Sequence, residues 1–376
     1  TNGAAAGRGT STFFPNALPA TPRAPTALDS QTSVFNPEIR NPYTQRWSLG
    51  IQRELPYGLI MEVSYVGSAG RKLFVTEDLN PIVNPSTGAR RFTALGIRRY
   101  RTSGANSDYH SGQFRLDKRL SRGLQFGLSY TWSKNTDQIS EVFATGQTNS
   151  SLASVPAFLG GLQIDRAVSD YDRAHRFVTN FVWDLPVLRN NNGWAGKLLG
   201  GWQLNGIVSF QSGAPFTIVN GLDRNGDGIA TSDRPNLSNP NAPHNTRGVV
   251  VATGTCASGI RNPDTLTCVN ASDVYVIQVP TATGTSLIQP GAATLGRNTE
   301  RSNPVQNLDL SLFKIFRLGE NLKIEYRIES FNALNHPQQT GLPGLDVTNT
   351  TAGRFLNYDF VSGGRRTARM GLKIIF

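Results

Sequence analysis

An all-β antiparallel fold of about nine strands is predicted by three features of this 376-residue sequence. Apolar and polar residues alternate with a period of two in one segment after another. The pattern is cleanest where Leu124, Phe126, Leu128, Tyr130 and Trp132 are interleaved with Gln125, Gly127, Ser129, Thr131 and Ser133. Short turns alternate with long polar connections along the chain. Finally, Lys323, Glu325, Arg327 and Glu329 line one face of a strand whose other face carries Leu322, Ile324, Tyr326 and Ile328. Unpaired buried charges cost several kcal/mol each, so that charged face cannot be the core of a β-sandwich. The wet lumen of a membrane barrel accommodates it. The three together predict part of an antiparallel transmembrane β-barrel, apolar outside and polar inside, with short periplasmic turns and long extracellular loops. A sandwich whose charged faces point to solvent is the competing arrangement, and it gives no reason for the loop asymmetry.

Residues 1–42 are rich in Pro, Ala, Thr and Asn without a sustained period, and read as an irregular extracellular segment. The barrel portion is expected over 43–376. Its first hairpin runs from Tyr43 to Leu55, turns at Pro56-Tyr57-Gly58 and returns from Leu59, followed by a polar stretch to about Asp108. The second takes Tyr109 to Leu120, turns at Ser121-Arg122-Gly123 and returns from Leu124 to Ser133. The third joins His175–Asp184 to Leu199–Gln211. A long insertion, 213–304, follows, within which Gly248–Ala252 and Asp273–Val279 are expected to pair as a small hairpin. The fourth joins Val305–Arg317 to Leu322–Ser330, and the ninth strand is Arg365 to Phe376. Counted this way, the first and ninth strands run in the same direction. They cannot close on each other as antiparallel neighbours, so the chain is expected to be part of a larger barrel.

Composition narrows the function. The formal charge is +11, yet the Arg residues are scattered, with no basic helix, ribonucleoprotein-type aromatic motif or zinc module, so no nucleic-acid partner is expected. No run of about 18 apolar residues exists, which excludes a membrane helix and leaves membrane strands open. His110, His175, His244 and His336 lie far apart and no nucleophile motif accompanies them, so no catalytic residue is assigned. His175 reads as a structural hydrogen-bonding residue where an outer loop enters a strand. Tyr130, Trp132, Trp183, Trp202 and Tyr326 read as lipid-facing or interfacial aromatics. The chain begins at Thr1 without Met or a signal segment, and is expected to be processed or a piece of something longer.

Cys256 and Cys268 sit in a polar region with no His beside them; a disulfide bracing the longest outer loop, in an oxidising compartment, is the expected reading, and two free surface thiols are the competing one. Asp223-Arg224-Asn225-Gly226-Asp227-Gly228-Ile229 has the spacing of a calcium loop, with Asp223, Asn225 and Asp227 presenting oxygens on a tight turn. The position where a bidentate Glu would complete the site is Arg234, and the neighbouring Asp233 is the candidate substitute. Calcium is the one cofactor the sequence suggests, and an Asp/Asn/Gly turn without a metal is the competing explanation.

Six segments in order resemble a known family: Asn41–Leu55 (NPYTQRWSLGIQREL), Tyr65–Gly70 (YVGSAG), Ser129–Lys134 (SYTWSK), Tyr171–Phe177 (YDRAHRF), Gly200–Gly206 (GGWQLNG) and Phe331–Pro337 (FNALNHP). They look like the C-terminal part of the barrel of TonB-dependent outer-membrane receptors, in the subgroup with an N-terminal carboxypeptidase-regulatory-like domain. The final strand resembles the family's assembly signal at Arg369, Gly371, Ile374 and Phe376. The resemblance implies a barrel of about 22 strands filled by a plug. It implies uptake of a large solute, a glycan, peptide or metal chelate, across the bacterial outer membrane. The implied partners are the lipid bilayer, the barrel-assembly machinery, the N-terminal strands and plug, and an inner-membrane energy-coupling protein. Two other readings stand beside it, a structural or adhesive β-protein derived from a barrel segment and a small independent porin.

Overall fold

The computed structural model describes residues 33–80, 82–84, 89–93, 98–141, 161–188, 193–222, 233–278, 295–318, 322–338, 343–349, 355–357 and 364–376. Nine strands form one antiparallel sheet in sequence order: β1 (Tyr43–Leu55), β2 (Leu59–Asp78), β3 (Arg99–Ser121), β4 (Leu124–Asp137), β5 (His175–Asp184), β6 (Trp202–Gln211), β7 (Val305–Leu318), β8 (Leu322–Phe331) and β9 (Thr367–Ile375). Along this path each strand pairs with its chain neighbours, and two short strands off it, Ser33–Phe35 and Ala167–Val168, pair with β3 and β4. The sheet is not closed, and β1 and β9 are its two edges.

The register puts like residues side by side. Ile51, Val63, Phe114, Tyr130 and Phe177 lie on one cross-strand row, and Phe316, Ile324 and Ile374 on another. Since alternate residues point to opposite faces, this register makes one face continuously apolar and the other polar. A slip of one residue in any pair would place charges among the apolar rows. Trp47 lies across Gly67 so closely that a Cβ there would sit 2.3 Å from the indole nitrogen, so only glycine fits beneath that ring.

Four sequence expectations are corrected. The polar stretch after β2 is not loop. β2 runs on to Asp78 and β3 begins at Arg99, so the two continue pairing above the expected barrel height, after a register irregularity between Gly70 and Leu73. At 20 and 23 residues they exceed the roughly 9–11 needed to cross a bilayer. Their extension is stabilised by a small core of Val75, Ala105 and Ile139, an apolar set that the flanking polar residues hide from a pattern search. Within the stretch expected to be irregular, Ser33–Phe35 pairs in parallel with Arg99–Arg101. Leu199 belongs not to β6 but to a short helix, α1 (Trp194–Leu199), because Gly200-Gly201 ends the helix before the strand begins; Gly201 has φ +70°. Finally, Arg247–Val250 and Val276–Ile277 are neighbours, but parallel rather than a hairpin. The antiparallel partners are Ile260–Arg261 for the former and Asn236–Leu237 for the latter, giving a four-stranded sheet in the insertion.

The largest buried apolar cluster lies in the extracellular loops, not in the barrel sheet. Phe216, Ile218, Ala242, Tyr275, Val276, Leu295, Val347 and Phe355 form a core drawn from the insertion and from the connection between β8 and β9. These loops form a folded cap. The wall strands, by contrast, expose large apolar side chains such as Leu49, Ile51, Met370, Leu372 and Ile374. That is the inside-out distribution expected where lipid replaces water.

Candidate functional site

The inner face of the wall is built by alternation alone. Glu325, Arg327 and Glu329 of β8 stand beside Lys373, Gly371 and Arg369 of β9, each directly across the pair. Opposite charges are matched: Glu329 accepts from Arg369 and lies 3.7 Å from Arg327. With Phe313 they line a hollow of about 280 Å³, in which the Arg327 guanidinium lies 5.7 Å from the Phe313 ring centre. A second hollow of about 200 Å³ is lined by Glu62, Ser64, Gln113, Arg115, Ser129 and Thr131 among others. Both are open recesses in the wall; the first mixes charged side chains with Phe313, Met370 and Leu372, and the second is mainly polar and suited to water, a packed polar domain or a hydrophilic solute.

The outer face carries an aromatic row near each end of the strands. At the turn side, Trp202 meets Phe316 and Tyr326 edge-on, at centroid separations of 6.5 and 6.2 Å. At the loop side, Tyr65 is hydrogen-bonded to His110 Nδ1 at 2.7 Å and Tyr130 to His175 Nδ1 at 2.8 Å. The hydrogen-bonding role read for His175 is therefore observed, and its counterpart at His110 repeats the same pairing one hairpin earlier. Aromatic rings with one polar end suit a membrane interface.

The cap is fastened to the strand ends by buried charge. Asp137, at the end of β4, pairs with Arg297, whose Nε also donates to the Asp165 carbonyl at 2.9 Å. Asp165 in turn pairs with Arg234 at 2.9 Å, both side chains being almost wholly buried. Asp172, 1% exposed, accepts from the Asn135 N–H at 2.7 Å and from Arg301 at 2.6 Å. Asn298 donates to the Val168 carbonyl and to Asp170. These contacts tie the β4–β5 connection to both ends of the insertion. A second clasp is Arg247, fully buried, which grips Asp264, donates to the carbonyls of Asp346, Val347 and Asn349, and lies over the Phe355 ring. Deep in the cap, Tyr275 stacks on His244 at 4.2 Å and donates to Glu300 at 2.8 Å. Burial and the Glu300 carboxylate push the Tyr275 phenol up to about 12.

Cys256 and Cys268 are joined as a disulfide, their Cα atoms 5.5 Å apart. Asp223, Asn225 and Asp227 lie outside the described residues. Of the calcium candidates only Asp233 is described; it is buried, and its carbonyl accepts the Asn220 N–H, while Arg234 beside it is turned to Asp165. Arg369 and Gly371 face the lumen, and Ile374 lies on the lipid side. Phe376, next on that side by alternation, is 98% exposed. Sequence reasoning missed the clasps. Asp172 and His175 share one quoted motif, but nothing local marks Asp137, Asp165 or Arg247 as anchors, because their partners are distant in the chain.

An antiparallel sheet that is apolar without and charged within, with the largest buried core among the described residues in the loops at one end, defines the wall of a membrane β-barrel. The chain belongs to the outer membrane beta barrel domain family, whose model matches residues 1–367, and its place is the bacterial outer membrane. That family consists of membrane barrels rather than enzymes. No curated protein matches the chain. Among solved structures it is similar to the outer membrane transporter YddB from Escherichia coli, at 10% identity and a TM-score of 0.41, covering 91% of this chain and 33% of that one. It is also similar to the pyoverdine outer membrane receptor FpvA from Pseudomonas aeruginosa PAO1, at 10% identity and TM-score 0.37, covering 89% and 30%. A third is the copper transporter OprC, at 9% identity and TM-score 0.36, covering 90% and 32%. The chain thus spans about a third of the length of each of these structures.

Proposed function

We propose that the chain is the C-terminal barrel portion of a TonB-dependent outer-membrane transporter that takes up a large solute, a glycan, a peptide or a metal chelate. The observation that carries this reading is the charged inner face left open at both sheet edges. Glu325, Arg327, Glu329, Arg369 and Lys373 form a polar surface against which a plug can pack and along which a hydrophilic solute can pass. The remaining strands and the plug come from other parts of the protein, and an inner-membrane coupling protein supplies the energy. The barrel-assembly machinery reads Arg369, Gly371, Ile374 and Phe376 at the end of the chain.

Two measurements test the proposal. A plug-like domain and an energy-coupling box encoded directly upstream of Thr1 support it, and a signal peptide joined directly to Thr1 counts against it. In cells producing the complete protein, solute accumulation should stop when the inner membrane is de-energised. Permeation that continues unchanged would mark a passive porin instead.

Calcium binding through Asp223, Asn225, Asp227 and Asp233 belongs to the same proposal and rests on sequence spacing. Calorimetric titration of the intact chain should show binding that Asp223→Ala/Asp227→Ala removes. Equal, negligible heats from both chains would withdraw the site.

A further inference from the structure

We propose that α1 is an interfacial membrane anchor, lying flat in the headgroup layer of the periplasmic leaflet and pinned to the outside of the wall by Lys314. The helix connects β5 to β6 on the side of the short turns, since β5 runs toward that side and β6 away from it. Its sequence, Trp194-Ala195-Gly196-Lys197-Leu198-Leu199, places Trp194 and Leu198 one turn apart on the same face, with Leu199 next to them. All three are exposed, Trp194 by 78%, and Val187 and Leu188 just upstream are exposed as well. A six-residue helix has no stability of its own in water. Something must hold this one.

One part of the hold is visible. Lys314 belongs to the lipid-facing row of β7, since its cross-strand neighbours are Trp202 and Tyr326. A lysine there would meet hydrocarbon, yet the residue is almost wholly buried. Its ammonium donates to the carbonyls of Lys197 and Leu198, at 2.7 and 2.8 Å, and to that of Gly200. These are carbonyls that the end of a helix leaves without intrahelical partners, at the negative end of its dipole. Trp202 Nε1 donates to the Leu198 carbonyl as well, and the ammonium lies over the Trp202 and Phe316 rings. The ammonium is therefore solvated by the carbonyls of the helix end, and the helix is held against the outer wall by the lysine.

What covers the other side follows from position. Trp202, Phe316 and Tyr326 form the turn-side aromatic row of the lipid-facing surface, and α1 is docked on that row, so its apolar residues continue a surface already in contact with lipid. The exposed Lys197 suits anionic and zwitterionic phospholipid headgroups. The occupant is the phospholipid of that leaflet. This rests on the outer-membrane assignment, but not on transport.

The test is a nitroxide attached to Leu198→Cys in the complete protein, with native Cys256 and Cys268 closed as a disulfide, in phosphatidylethanolamine/phosphatidylglycerol bilayers. Trp194→Cys serves as a second site should the first not fold. Collisions with dissolved oxygen should exceed those with a water-soluble nickel chelate several-fold, as at a Leu372→Cys control on the wall and unlike Tyr57→Cys at a turn tip. Nickel access at Leu198 equal to that at Tyr57 would overturn the anchor. So would exclusion of both relaxants, which would mean a protein or a second copy covers the helix. A water-like result at Leu372 as well would instead count against the lipid-facing assignment of the wall. Lys314→Met should increase the motion of the Leu198 label, and unchanged motion would remove the pinning role.

Discussion

Asp137, Asp165 and Asp172 carry charge into sites that water hardly reaches, and each is compensated there by an arginine of the insertion that arrives from far along the chain. Removing one partner of such a pair leaves the other buried and unpaired, which costs about 3–5 kcal/mol. Arg297→Ala should therefore lower the unfolding free energy of the cap, measured by denaturant titration, by an amount in that range, whereas Arg115→Ala in the wall, whose ion pair with Asp117 is largely exposed, should change the unfolding free energy by no more than about 1 kcal/mol. Tyr275 makes a pH prediction of definite sign. Its folded pKa, about 12, lies above the ordinary 10, so the folded cap holds the phenol proton more tightly than the unfolded chain does. That contribution is complete below pH 10 and is lost as pH rises toward about 12. The thermal midpoint should fall across this window, and Tyr275→Phe should flatten the fall at the cost of a lower midpoint near neutrality. A variant whose decline is as steep as that of the native chain would show that another group governs it.

Within one strand the two faces are separate environments. Val63 faces lipid between Ile51 and Phe114, and Ser64 faces the lumen beside Gly50 and Gln113. Val63→Lys should destabilise the folded barrel by roughly 2–4 kcal/mol if the site is near the bilayer midplane, and Ser64→Lys by far less. The measurement is the denaturant midpoint in lipid vesicles, and equal effects at the two adjacent positions would contradict the assignment of faces. Alternation is also what made the nine strands legible in the sequence. Period-two patterning located each one, down to the turns at Pro56 and Arg122. It failed at β2 and β3, whose extracellular halves carry Arg, Ser, Thr and Glu on both faces, since a strand that meets water on both sides has no reason to alternate. α1 was invisible for a different reason: its six residues fill too few turns to show a helical period, and its anchor, Lys314, lies more than a hundred residues away.

At the scale of the whole molecule, the wall and the cap follow different rules of folding. The wall is stabilised by main-chain pairing and by lipid, so it needs insertion, and the final strand is where that process is expected to be directed. Phe376→Ala should reduce the amount of chain recovered in outer membranes while leaving the cap's disulfide intact. Fractionation with and without reducing agent measures both, and full recovery of the variant would remove Phe376 from the assembly signal. The cap has its own apolar core, its own small sheet and its own disulfide. The disulfide was legible beforehand, and so were two strands of the small sheet, though not their parallel pairing. The core was not, because Phe216, Tyr275, Val347 and Phe355 come from segments whose local composition reads as loop.

The fastening of the cap has a consequence for how the outer surface of such a barrel could change between relatives. Loops on a barrel rim are usually imagined as interchangeable parts, each free to vary or be swapped. Here a chimera that imports a foreign β4–β5 connection keeps Arg234 and Arg301 but loses Asp165 and Asp172, and so leaves Arg234 buried without its carboxylate and Arg301 without its ion-pair partner. The natural unit of exchange is then the β4–β5 connection, the insertion and the Arg247-clasped β8–β9 connection inherited together, and specificity should be transplanted between relatives as that whole block rather than loop by loop.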